Sequence, residues 1–120
     1  MTSTDSLPTL RTEAQDGCTL VVLGGELDAF AGGRLGPELD ALTAPDVPEP
    51  PTLVIDLREV TFADCSGLSL LVRSRRRARR LGGSVRLVCA APRILRVLRL
   101  TRLDTEFDIY TDWPPLTGSR

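Results

Sequence analysis

The chain has 120 residues, of which 42% are hydrophobic, and its formal net charge is −1 at pH 7, which fits one domain with a single core. It contains no histidine and no lysine, so the commonest general base, the commonest metal ligand and the phosphate-binding lysine are missing, and the composition predicts neither enzyme activity nor a metal or cofactor. It also lacks the run of about 18 apolar residues that would predict membrane insertion, and three cysteines at unrelated spacings predict a reducing compartment.

The first part of the chain predicts two strands. Residues 1–8 are polar and are expected to be flexible, and residues 9–15 are a candidate edge strand. Residues 18–23, CTLVVL, form the short apolar run that is typical of a buried strand. The two glycines that follow, at 24–25, would let the backbone turn or bulge before the next element.

A helix and a loop are predicted next. Residues 30–42 place leucines at helical spacing, which predicts a helix even though three glycines weaken it. Residues 44–51, APDVPEPP, are rich in proline and predict a loop.

The central stretch, residues 53–83, predicts a strand, a tight turn and a helix. It opens with an apolar, β-branched run at 53–57, which suits a strand buried in a sheet. At residues 64–67, Asp-Cys-Ser-Gly, the period changes, and apolar residues then recur at intervals of three and four with arginines between them. This pattern predicts an amphipathic helix at about 66–81. Three of its apolar residues are expected to be buried, namely Leu71, Ala78 and Leu81.

The last part of the chain repeats the alternation. Residues 85–90 predict a strand, Pro92 stands where a proline can start a helix, and the apolar face of that helix includes Leu100. Residues 107–110 predict a last strand, and residues 113–120 a flexible tail. Strands and helices therefore alternate along the chain, which predicts an α/β fold with a mostly parallel or mixed sheet and helices packed on it.

The turn between the central strand and helix is a natural place for a functional site. Free backbone N–H groups point outward at a helix N-terminus, and the helix dipole favours negative charge there. The simpler interpretation is that Asp64 and Ser66 only cap the helix. Cys65 is the one candidate for a reactive side chain, but a small residue that fits the turn explains it more simply.

Three motifs, in the same order, resemble the STAS domain of the anti-sigma-factor antagonist family. The central segment VIDLREVTFADCSGLSLLVRSRRRARRLGG is similar to the family's strand ending in Asp-Leu, its Asp-Ser-Ser/Thr-Gly-Leu turn and its helix ending in Gly-Gly. Residues 23–28, LGGELD, resemble the family's Leu-x-Gly-Glu-Leu-Asp, and residues 85–110 resemble its strand, proline-started helix and last strand. The resemblance implies a STAS-like mixed β-sheet with helices packed mainly on one face, over residues 9–112.

The resemblance also implies a function. The chain would bind an anti-sigma factor that has serine-kinase activity and a histidine-kinase-like ATPase fold, and would thereby regulate sigma-factor-dependent transcription in the bacterial cytoplasm. The surface that binds this partner would be formed by Asp28, Asp64, Cys65, Ser66 and Gly67.

One residue departs from the family pattern. The residue after the turn's aspartate is the serine that a partner kinase phosphorylates in the family, and here it is Cys65. Ser66 corresponds to the second position, which is not the usual phosphoacceptor. The family's phosphorylation switch therefore cannot be transferred unchanged, and Ser66 remains as the one alternative acceptor.

Two other functions stay open at this point. The cysteine favours a STAS adaptor or scaffold subunit, without phosphorylation, in a transporter or signalling assembly. A nucleic-acid-binding module is favoured by the arginine-rich helix, since residues 64–102 hold eleven arginines and one acid. No aromatic residues interleave with these arginines to stack on bases, so a protein partner with an acidic surface is preferred. Self-association is compatible with each of these functions.

Overall fold

The computed structural model of the chain describes residues 7–112. Its strands are β1 (Thr9–Gln15), β2 (Cys18–Leu27), β3 (Thr52–Ala63), β4 (Ser84–Val88) and β5 (Asp108–Tyr110). Its helices are α1 (Ala29–Ala41), α2 (Cys65–Arg80) and α3 (Pro92–Leu100), followed by a short 3₁₀ turn at Leu103–Thr105. The predicted order of elements is confirmed, whereas the predicted flexible ends lie, up to residue 6 and from residue 113, outside the described residues.

The five strands form one sheet in the order β1-β2-β3-β4-β5. β1 is antiparallel to β2, and every later pair is parallel, with a helix in each crossover connection. The helices share one apolar core with one face of the sheet, and its largest side chains include Leu23, Leu39, Ile55, Leu71, Leu87 and Leu98. A second, smaller cluster contains strand residues that alternate with those of the first cluster, and it includes no helix residue. Its members are Leu20, Val22, Val54 and Val88. The predicted mixed α/β sheet with helices mainly on one face is confirmed.

Burial follows the predicted helix pattern with two exceptions. Leu71 and Ala78 are fully buried, as predicted. Leu81 is only half-buried, contrary to the prediction, because α2 ends at Arg80 and Leu81 is its C-cap. Leu100 is 73% exposed, because it lies two residues, or about 200° of helix rotation, beyond the buried Leu98.

A bulge at the two glycines lengthens β2 beyond its predicted end at residue 23. The register with β3 shifts between Val22 and Gly24 and again between Gly25 and Glu26. Gly25 has a φ of +80°, and a Cβ on it would lie 2.2 Å from the carbonyl oxygen of Leu7, so only glycine fits. After the bulge the strand continues to Leu27, which brings the end of β2 level with the end of β3.

Two arginines of α2 hold α1 in place. The Arg73 guanidinium donates to both carboxylate oxygens of Asp40, at 2.9 and 2.8 Å. This bidentate bond keeps the pKa of Asp40 below its usual range, so the carboxylate is charged at neutral pH. Arg77 donates to the hydroxyl of Thr43 and to the carbonyl oxygens of Asp40 and Thr43, at the C-terminal end of α1.

A third arginine connects α2 to the segment that precedes β5. Arg75 forms an ion pair with Glu106 at 3.4 Å, and its guanidinium carbon lies 5.7 Å from the centre of the Phe107 ring. Half of the six-arginine run on α2 therefore contributes to packing between elements instead of forming a free basic surface.

Candidate functional site

Two aspartates follow neighbouring strands at the same edge of the sheet. Leu27 and Ala63 are register partners at the ends of β2 and β3, so Asp28 and Asp64 are the next residues of two adjacent parallel strands. The backbone N–H of Asp64 donates to the carbonyl oxygen of Leu27 at 3.2 Å, which joins the two ends directly. Helices α1 and α2 consequently begin side by side.

Both aspartates cap the helices that follow them. Oδ1 of Asp28 accepts a hydrogen bond from the N–H of Ala31 at 3.1 Å, and Oδ1 of Asp64 accepts one from the N–H of Gly67 at 2.9 Å. The simpler interpretation of these carboxylates as N-caps is thus confirmed, whereas Ser66 is not the cap. Among residues 7–112 neither carboxylate forms an ion pair, so no arginine of this range is paired with them at this edge.

Gly67 allows the two helix starts to approach each other. A Cβ on this residue would lie 1.9 Å from the carbonyl oxygen of Leu27 and 2.8 Å from the backbone nitrogen of Asp28. No side chain fits at such distances, so the first turn of α2 contacts the backbone of β2 directly. Gly67 is therefore buried, and it allows the turn to adopt its conformation.

The two residues in front of Gly67 are both exposed. Cys65 and Ser66 are the first two residues of α2, and the Ser66 carbonyl accepts a hydrogen bond from the hydroxyl of Ser69 at 2.6 Å. Cys65 lines a groove along α2, and Ser66 does not. Since successive helical residues are rotated by about 100°, the thiol and the hydroxyl point in different directions.

Two exposed aromatic rings flank this site, and sequence reasoning did not select them as site residues. Phe30 is 58% exposed and lies two residues after Asp28, while Phe62 is 44% exposed and lies two residues before Asp64. No simple alternation in β3 marks Phe62, because residues 58–63 repeat two exposed positions and one buried position, and Thr61 is exposed as well. Exposed aromatic side chains beside a polar turn are typical of interfaces.

We expect a thiol reagent at neutral pH to modify Cys65 before the other two cysteines. The thiolate is the reactive form, and burial raises the pKa of the thiols of Cys18 and Cys89, whereas Cys65 is exposed. Titration with a chromogenic disulfide should therefore show one fast thiol in the native protein. The fast phase should disappear in Cys65→Ser; a fast phase that persists in this variant would contradict the assignment.

The described part of the chain contains neither a candidate metal site nor a candidate membrane-spanning helix. Residues 7–112 contain no group of three histidine, cysteine, aspartate or glutamate side chains that could hold a metal ion. No helix in this range is long and apolar enough to cross a membrane.

Comparison with known proteins agrees with this geometry. The family model of the STAS domain matches residues 9–113, and no curated protein matches the chain. An anti-sigma factor antagonist from Mycobacterium paratuberculosis has a similar solved structure, with 28% sequence identity and a TM-score of 0.81; the match covers 99% of this chain and 97% of that chain.

More distant solved structures share the fold. The Bacillus cell fate determinant SpoIIAA in its phosphorylated form is 18% identical, with a TM-score of 0.67 over 93% of this chain and 100% of that chain. A sulfate transporter family protein from Wolinella succinogenes is 15% identical, with a TM-score of 0.64 over 78% of this chain and 76% of that chain. At these identities the likeness shows the fold alone, and the same fold thus occurs in two functional settings.

Proposed function

Since this chain belongs to the STAS domain family, we propose that it is an anti-sigma-factor antagonist, which binds an anti-sigma factor and so frees a sigma factor for transcription. The partner would be an anti-sigma factor with serine-kinase activity and an ATPase fold, met in the bacterial cytoplasm. The protein would act as a binding module and not as an enzyme. The similar antagonist structure from Mycobacterium paratuberculosis supports this assignment.

The observation that carries the proposal is the exposed turn beside two aspartates that cap the helices α1 and α2. Cys65 and Ser66 stand at the surface where α1 and α2 begin, with Asp28 and Asp64 beside them. A turn of this kind offers a partner both polar groups and a place where a phosphate would add about −1.5 to −2 charge. Since two carboxylates are already present, an added phosphate would make the edge strongly negative and would repel a partner that tolerates the unmodified form.

The aromatic rings supply the apolar part of the proposed contact. Phe30 follows Asp28 by two residues, Phe62 precedes Asp64 by two residues, and both rings are exposed. Large aromatic side chains are frequent hot spots in interfaces, where truncation of one costs about 2 kcal/mol or more. We therefore place both rings in the partner-binding surface, together with Asp28, Asp64 and Cys65.

The double variant Phe30→Ser/Phe62→Ser should fold normally but lose about 30-fold or more in affinity for the anti-sigma factor. Affinity capture followed by mass spectrometry would identify the partner, and calorimetry with the purified partner would give the affinities. Leu100→Ser is the matched control, because Leu100 is also a large exposed apolar residue but lies at the end of α3. Equal affinity in the wild type and the double variant, or a loss confined to Leu100→Ser, would contradict the proposed surface.

A STAS adaptor or scaffold subunit is the second candidate function. It is favoured by Cys65, which removes the hydroxyl from the acceptor position, and by the sulfate transporter family structure with the same fold. Capture of transporter or signalling subunits in place of an anti-sigma factor would support it. A nucleic-acid module is less favoured, because Arg73, Arg75 and Arg77 are engaged within the fold.

A further inference from the structure

We propose that the outer face of α2 is a docking groove for an acidic amphipathic helix of the protein partner. A groove with a volume of about 670 Å³ runs along this face and begins at Cys65. The proposal rests on the proposed function, because it extends the partner-binding turn along the helix that follows it. It also gives a role to arginines that the fold does not use.

The spacing of the groove residues suits a partner helix. Eight residues of α2 line the groove, and each lies three or four residues from another: Cys65, Leu68, Ser69, Val72, Arg73, Arg76, Arg77 and Arg80. Apart from Leu68, which is itself buried, they form one continuous stripe on the side away from the residues that α2 buries against the sheet, such as Leu71 and Ala78. From Cys65 to Arg80 the stripe is about 22 Å long, or four helical turns. Stripes of this period interdigitate with the ridges of a second helix.

The chemistry of the groove changes along its length. Near the turn the groove is lined by the half-buried apolar side chains of Val72 and Leu103, and the buried Leu68 forms its floor. Farther along lie the exposed arginines Arg76 and Arg80, which form no ion pair within residues 7–112. An occupant must therefore offer apolar side chains at one end and acidic side chains at the other.

The arginines that line the same groove are not equivalent. Arg73 and Arg77 already contact Asp40, whose carboxylate neutralises part of their charge. The unpaired charge of the groove thus comes from Arg76 and Arg80, one helical turn apart. Acidic side chains at the same spacing on a partner helix would match them, and arginine is enriched in interfaces of this kind.

The two ends of the surface carry opposite charges, which fixes the direction of the occupant. Asp28 and Asp64 lie at the start of α2, and Arg76 and Arg80 lie near its end. Charge complementarity sets register and suppresses wrong orientations more than it adds affinity. The acidic end of the partner helix is therefore placed over the arginines, and its apolar end over Val72 and Leu103, which are half-buried. A flat membrane surface would not use the concave shape of this face.

The test uses the whole chain and a synthetic peptide probe. The probe is an amphipathic helix with leucines at intervals of three and four and glutamates clustered in one half, labelled for fluorescence anisotropy at physiological salt. We expect it to bind the wild type, and we expect Arg76→Glu/Arg80→Glu to weaken binding about tenfold or more. Arg79→Glu/Arg96→Glu changes the net charge equally at exposed arginines outside the groove, and it should bind within about twofold of the wild type.

Three results would contradict the proposed docking groove. The first is that the probe does not bind the wild type, and the second is that the two double variants lose affinity equally. The third is binding that depends on Arg76 and Arg80 but occurs with phosphatidylserine-containing vesicles and not with the peptide. Failure of the proposed function gives a different result, namely that the wild type binds the probe but no anti-sigma factor. If the purified anti-sigma factor binds the wild type and the groove variant equally, the function stands and the groove proposal fails.

Discussion

Gly67→Ala should lower the free energy of unfolding by about 3 kcal/mol or more, at the upper end of overpacking effects. The added methyl group would lie 1.9 Å from the carbonyl oxygen of Leu27 and 2.1 Å from its carbonyl carbon. Both atoms belong to the backbone at the end of β2, so no side-chain rotation can relieve the contact. The first turn of α2 would have to move away from β2, which would also break the hydrogen bond from the Asp64 N–H to the Leu27 carbonyl.

Gly33→Ala is the matched control, because it makes the same chemical change with the opposite expected sign. Gly33 is exposed within α1, and a Cβ there would meet no atom within 4 Å. Alanine is favoured over glycine in a helix by about 0.5–1 kcal/mol, so this variant should be slightly more stable than the wild type. Thermal unfolding should show Gly67→Ala at least about 10 °C below the wild type and Gly33→Ala at or above it.

Equal melting temperatures for Gly67→Ala and the wild type would contradict the close contact between α2 and β2. The same variant reports on the proposed site, because Gly67 sets the distance between the two aspartate caps. If Gly67→Ala remains folded at low temperature, its affinity for the partner should still fall. Gly33→Ala should leave this affinity unchanged.

The elements of the fold could be predicted from local sequence, because local physics determines them. A short apolar run predicts the strand at residues 18–23, apolar periodicity predicts the helix at residues 66–81, and Asp64 marks the start of that helix as a capping residue. Their ends were less certain: β2 continues to Leu27 because the bulge at the two glycines keeps the strand paired with β3. A bulge restores pairing with a neighbour that is distant in sequence, so a local pattern cannot fix where the strand stops.

The site was only partly predictable for the same reason. The sequence selected Asp28 and the turn at residues 64–67, and the structure brings their backbones together. It did not predict Phe30 and Phe62 as exposed neighbours of the turn, because exposure depends on what the other elements cover. The pairing of Arg73 with Asp40 likewise requires the packing of α1 on α2, which connects residues 33 positions apart.

The arginine-rich helix shows how tertiary contacts change the interpretation of a charge pattern. In sequence, the six arginines of α2 form one basic run. In the structure Arg73, Arg75 and Arg77 contact acidic groups, a ring or backbone carbonyls, while Arg76 and Arg80, on the groove side, form no ion pair with any residue from 7 to 112. A run that resembled a nucleic-acid patch thus divides into arginines that stabilise the fold and arginines available to a protein partner.

Incubation with the cognate anti-sigma-factor kinase and ATP should leave the wild type without phosphate, whereas Cys65→Ser should become phosphorylated. Phosphoryl transfer needs a nucleophile held in line with the leaving group, at about 3–3.5 Å. In the function that we propose, Cys65 presents sulfur at the position of the family's acceptor serine. Ser66 is exposed, but its hydroxyl is turned by about 100° from the thiol and lies off the groove that begins at Cys65.

Three variants locate the acceptor by intact-protein mass. Cys65→Ser should gain one phosphoryl group, Ser66→Ala should gain none, and Cys65→Ser/Ser66→Ala should gain one, which would place the phosphate at residue 65. Because residue 65 is exposed and a hydroxyl occupies nearly the space of a thiol, these variants should melt close to the wild type. Cys65→Ser should lose affinity for the partner after phosphorylation, since the phosphate joins the carboxylates of Asp28 and Asp64 at one edge.

The alternative outcomes have distinct meanings. Efficient phosphorylation of the wild type that disappears in Ser66→Ala would show an ordinary switch moved by one residue, and it would contradict the prediction. If Cys65→Ser also stays unmodified by a kinase that binds it, the turn is not a kinase substrate and the adaptor function gains support. If the prediction holds, the natural chain is an antagonist that the kinase cannot switch off, because a sulfur atom stands where the oxygen should be.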